Sequence, residues 1–84
     1  MSPQEVEALI RAGMPNAQIT VESDDGTHFS AIIVSEEFAG KRTLQRHQRV
    51  YATLGVLMGR EIHALTMQTH TADELRVIQQ SAQQ

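Results

Sequence analysis

The sequence predicts an α/β (α+β) domain with the element order αββααβα. Two capping boxes, Ser2-Pro3-Gln4-Glu5 and Thr71-Ala72-Asp73-Glu74, open helices near the two ends of the chain. Between them, alternating Ala17, Ile19 and Val21 read as a half-buried strand, and Asp24-Asp25-Gly26 follows as a hairpin turn signal. An amphipathic stretch from Phe38 to Leu54 then separates the hairpin from a third strand. Strands two and three are therefore joined by a helical crossover, which makes them parallel if they are neighbours.

In chain order, Pro3 occupies the first helical position, Val6, Leu9 and Ile10 follow at helical spacing, and Gly13 and Pro15 end the helix. The second strand spans His28 to Val34; it is apolar on both faces towards its end, which marks it as the central strand. Ser35-Glu36-Glu37 opens a short helical turn that carries Phe38 onto the core, and Gly40 breaks it. The long helix runs from about Thr43 to Met58, with Gly55 a weak point and Gly59 a C-cap. Its periodicity puts Leu44, His47, Val50, Tyr51, Leu54, Leu57 and Met58 on an apolar side. Arg42, Gln45, Arg46, Arg49 and Thr53 lie opposite. Ile62 to Thr69 is the third strand, with His63, Leu65 and Met67 on one face. The last helix passes through Leu75 and Ile78, and 79–84 is expected to fray.

With 84 residues the chain is read as one domain, 1–84, burying roughly 60–65% of its unfolded surface. It has no Cys, so neither a disulfide nor a thiolate ligand is available, which leaves four His and the carboxylates as metal donors. No signal peptide or apolar membrane span is visible, and the expected location is the cytoplasm. No G-x-S-x-G or comparable motif marks an enzyme, and Asp24 and Asp25 read as turn residues rather than paired catalytic carboxylates. The net charge of -3 opposes bulk nucleic-acid binding, although Lys41, Arg42, Arg46 and Arg49, four of seven Lys and Arg residues, form a local basic face. For most such helices an ordinary solvated face on a core helix is the explanation. The crossover has one chemical consequence. Starting parallel neighbours, His28 and His63 lie at the same end of the sheet, where two imidazoles can converge. His47, on the apolar stripe, reads as a packed, hydrogen-bonded core histidine.

Taken together, Thr27-His28-Phe29, Phe38-x-Gly40-Lys41, Arg46-His47-x-x-Val50-Tyr51-x-x-Leu54, Ile62-His63-Ala64-Leu65 and Thr71-x-x-Glu74 resemble the BolA family across nearly the whole chain. Gln48 departs from the family's usual Arg-His-Arg, with Arg49 one place later. The resemblance implies a KH-like (type II) fold with a three-stranded mixed sheet. It also implies a monothiol glutaredoxin partner with which a [2Fe–2S] cluster is shared, the glutaredoxin and its glutathione supplying thiolates. The family's ligand positions correspond to His28 and His63 in this chain. Two imidazoles on one iron match Rieske-type ligation. Alone, the chain is expected to be a monomer or weak homodimer without a tightly bound cofactor. The alternative implied function is a KH-like transcriptional regulator binding nucleic acid through Lys41, Arg42, Arg46 and Arg49. Against it, the loop Gly40-Lys41-Arg42-Thr43 has only the first glycine of the GXXG clamp.

Overall fold

The computed structural model describes residues 1–82. Its elements are α1 (Pro3–Gly13), β1 (Gln18–Glu22), β2 (His28–Val34), a 3₁₀ turn (Glu36–Phe38), α2 (Thr43–Leu54), a second 3₁₀ turn (Gly55–Leu57), β3 (Ala64–His70) and α3 (Ala72–Ala82). The expected order is present, and β2 is the central strand, with sheet order β1-β2-β3. β1 pairs antiparallel with β2, and β2 pairs parallel with β3 in a register that sets His28 against Ala64.

The capping boxes work as expected. Ser2 Oγ accepts the Glu5 N–H at 3.1 Å, and Glu5 Oε1 accepts the Ser2 N–H at 3.1 Å. At the other end, Thr71 Oγ1 accepts from Glu74 N, and Glu74 Oε1 accepts from Thr71 N. Each box satisfies backbone donors that a helix start leaves without partners. The core lies between one face of the sheet and helices α1 and α2. Val6, Ile10, Met14, Phe29, Ile33, Phe38, Val50, Leu54, Ile62, Leu65 and Met67 are all buried there. On the other face Thr20, Ser30, Ile32, Thr66 and Gln68 are exposed. Alternation along each strand thus separates wet from dry.

Four expectations need correcting. First, α2 ends at Leu54 rather than Met58, because Gly55 takes φ +56 and turns the chain into the 3₁₀ segment. Second, the inward face of α2 is rotated from the one the periodicity chose. Leu44 is 68% exposed and Tyr51 is also exposed, whereas Arg46, Arg49 and Thr53 are partly buried beside Val50 and Leu54. Long arginine stems pack apolar surface while their heads reach distant acceptors, so charge alone did not mark the outer side. Third, β3 begins at Ala64, not Ile62. Ile62 is fully buried as an anchor, pairing with Met58 in an isolated bridge, and His63 follows in a bend. His63 consequently does not share the buried face of Leu65 and Met67. Fourth, His47 is half-buried, and no side-chain hydrogen bond among the described residues involves its ring. The segment from Gln79 is helical as far as Ala82, and Gln83 and Gln84 lie outside the described residues.

Candidate functional site

The loop between β1 and β2 is built by short polar side chains folding back on the backbone. Ser23 Oγ accepts from Gly26 N at 2.9 Å and donates to the His28 carbonyl at 2.7 Å. Asp25 Oδ1 accepts from the backbone N–H of Thr27 at 2.9 Å and of His28 at 2.8 Å. Gly26, at φ +77, supplies the left-handed turn. This cage fixes the first residue of β2. Its ring then meets the same carboxylate, with His28 Nδ1 2.7 Å from Asp25 Oδ2 and 3.1 Å from Thr27 Oγ1. The Asp25 carboxyl is held far below the usual carboxylate range, chiefly by the His28 and Thr27 amides and then by the His28 ring.

His63 reaches the same place from the other side of the crossover. Its backbone N–H donates to the Thr27 carbonyl at 2.9 Å, tying the approach to β3 onto the residue before His28. The two rings stack with centroids 6.1 Å apart and an interplanar angle of 28°. Both side chains are open to solvent; that of His28 is 65% exposed. The parallel register therefore brings together the two histidines that the sequence singled out. Among the described residues no group of three or more His, Cys, Asp or Glu is placed to hold a metal ion. The pair is thus at most part of a ligand set. Asp25 is the member that sequence reasoning missed. It read as a turn residue, which it is, but its place three residues before His28 was the available signal of a second contact.

The basic residues separate into two kinds. Arg46 is spent inside the fold: its head makes a two-pronged pair with Glu74 at 2.6 and 2.9 Å, donates to the carbonyls of Lys41 and Thr69, and lies 5.8 Å above the Phe38 ring centre. That contact, with the Thr71 N–H, lowers the Glu74 carboxyl to about 2. Arg49 bonds Glu37 at 3.0 Å and the Gly13 carbonyl at 2.8 Å. Lys41 and Arg42 are exposed and in no ion pair among the described residues. They sit at the rim of an open groove of about 980 Å³ between the start of α2 and α3, floored by Leu44, Val77 and Ile78.

The profile of the family described as "BolA-like protein" matches residues 1–74. The Escherichia coli K12 protein named DNA-binding transcriptional regulator BolA is 36% identical over 59 residues, covering 70% of this chain and 56% of that protein. The Vibrio cholerae protein of the same name is 34% identical over 80 residues, covering 95% of this chain and 72% of that one. The chain thus spans little more than half the length of the first of these relatives. Among solved structures, a bolA protein homologue from Coxiella burnetii superposes with a TM-score of 0.81 at 34% identity, covering 90% of this chain and 97% of that one.

Proposed function

This chain belongs to the BolA-like protein family, and we propose that it acts as the histidine-bearing partner of a monothiol glutaredoxin, the two sharing a [2Fe–2S] cluster in iron–sulfur trafficking or iron homeostasis. The observation that carries the reading is the meeting of His28, the first residue of β2, with His63, in the bend just before β3, their ring centroids 6.1 Å apart and both open to solvent. The donor chemistry fits. Imidazole is an established ligand to one iron of such a cluster, and the chain offers two. It has no Cys, so the remaining thiolates come from outside, from the glutaredoxin and its glutathione. When bound, the cluster supplies iron–sulfur redox chemistry at a potential raised by neutral in place of anionic ligands. The protein's own part is to hold two imidazoles on a rigid ladder end and leave the approach to them open.

The test is reconstitution with a monothiol glutaredoxin. His63→Ala removes the characteristic visible absorption and circular dichroism of the complex while this domain stays folded. His28→Ala has a milder effect of the same kind, since another donor can substitute at a solvent-open loop. Spectra identical for the wild type and both variants would sink the assignment.

A second reading is kept because relatives in this family are named DNA-binding transcriptional regulators. In this chain it would rest on Lys41 and Arg42, the two of the stretch's four basic residues that are exposed and in no ion pair among the described residues, since Arg46 and Arg49 are paired with Glu74 and Glu37.

A further inference from the structure

We infer that Asp25 is a positioning residue which fixes the proton of His28 on Nδ1 and so presents Nε2 as the atom that meets iron; this rests on the cluster-sharing reading above. Three contacts carry it. Asp25 Oδ1 accepts two backbone N–H groups, from Thr27 at 2.9 Å and His28 at 2.8 Å, so the carboxylate is oriented by the main chain before the ring is considered. Its second oxygen, Oδ2, is then left 2.7 Å from His28 Nδ1. A carboxylate bearing no proton only accepts hydrogen bonds, so Nδ1 must donate. Thr27 Oγ1, at 3.1 Å from the same nitrogen, accordingly receives from it or stands aside. A neutral ring carrying its hydrogen on Nδ1 has its lone pair on Nε2.

Free imidazole side chains favour the opposite form, with the hydrogen on Nε2, which would block that nitrogen. Asp25 reverses the preference and also restricts rotation of a ring whose side chain is 65% exposed. Carboxylate–histidine pairs serve metal ligands in this way generally, and loss of such an outer partner costs roughly 10–100-fold in metal affinity. His63 has no counterpart, for its ring makes no hydrogen bond among the described residues, and its position comes from the backbone bond to Thr27. The two ligands are thus held by different means, one by its side chain and one by its main chain.

The informative substitution is Asp25→Asn. Its carbonyl oxygen keeps both backbone bonds of the turn, while its amide group takes the place of Oδ2 and donates to Nδ1. That forces the hydrogen to Nε2, turning the ring's ligating atom into a donor. Nitrogen-15 long-range spectra of the chain alone, at about pH 9 where imidazoles are neutral, read the form directly. The wild type shows His28 with its hydrogen on Nδ1, and Asp25→Asn shows it on Nε2, with unchanged amide shifts for Gly26 and Thr27 verifying the turn. Wild-type His28 carrying its hydrogen on Nε2 overturns the inference, whatever the variant does. In the reconstituted glutaredoxin complex, Asp25→Asn loses its cluster to a chelator about 10-fold faster or more, matching His28→Ala. If the spectra of the chain alone are as expected but Asp25→Asn and His28→Ala both retain wild-type cluster lifetimes, the ligand reading itself falls.

Discussion

The approach of α1 to α2 can be tested by one added methyl group. A Cβ built on Gly13 would lie 2.6 Å from Thr53 Cγ2 and 3.1 Å from Thr53 Cβ. Comfortable carbon contacts are about 3.5–4.0 Å, so the overlap is roughly 1 Å. Thr53 cannot readily turn away, because it is β-branched and its hydroxyl donates to the Val50 carbonyl at 2.6 Å. Backbone strain is not the obstacle, since Gly13 is not among the glycines with positive φ. Taken alone, replacing a helical glycine by alanine gains up to about 1 kcal/mol. Overpacking costs about 1–3 kcal/mol. The clash wins, and Gly13→Ala destabilises by about 1–2 kcal/mol, lowering Tm by about 4–16 °C at the usual 4–8 °C per kcal/mol for a domain of this size. Thr53→Ser removes Cγ2 and keeps the hydroxyl, leaving the 3.1 Å approach to Cβ, so in that background Gly13→Ala costs less by at least about 0.5 kcal/mol. Urea unfolding of the four proteins gives the coupling energy directly. A coupling below about 0.5 kcal/mol, or Gly13→Ala stabilising the otherwise wild-type chain, would refute this packing of the helices. The same displacement would strain the Arg49 bond to the Gly13 carbonyl.

Acid sensitivity is expected at α3. Glu74 is lowered from 4.5 to about 2, so the stability it contributes is complete above pH 4.5 and is lost as pH falls from 4.5 through about 2. Glu74→Gln should flatten the stability profile in that window, and parallel profiles would contradict the role of the pair. For nucleic acid, replacing Lys41 and Arg42 together by Ala should weaken any binding and reduce the salt slope by about 2 in log–log terms, near 0.9 for each phosphate no longer neutralised. Salt titrations by mobility shift with unchanged slopes would remove those residues from an interface. His47→Ala should cost less than about 1 kcal/mol, because the ring is half-buried and makes no hydrogen bond among the described residues. A thermal loss equal to a core truncation would restore the core role that the sequence suggested.

What the sequence made legible was local or periodic. The capping boxes at Ser2 and Thr71, the Asp25-Gly26 turn and the alternation in β1 are each decided within a few residues, and each appears where expected. The meeting of His28 and His63 was legible for a different reason: a crossover between neighbouring strands leaves few topologies open. The orientation of Arg46 was not legible. Its acceptors, Thr69 and Glu74, lie 23 and 28 residues further on, and periodicity assigns every arginine to water. The bend at His63 was hidden for a similar reason. Ile62 fits the alternation of a strand, and only its burial between the 3₁₀ turn and β3 shows it to be an anchor. Nor could any pattern show that α3 leaves Val77 and Ile78 exposed, since amphipathicity says which side is apolar but not whether anything covers it.

The parallel pairing of β2 with β3 also sets when the histidine pair exists. Short-range structure such as the hairpin around Asp25 forms early, because its loop is short, whereas pairing across the crossover must first close a long loop. His28 alone is then a weak single donor, and His63 joins it only after α2 has crossed the sheet and β3 has docked. An emerging or unfolded chain therefore has no paired imidazoles, and on the cluster-sharing proposal made above it is completion of the fold that would time when iron can be held.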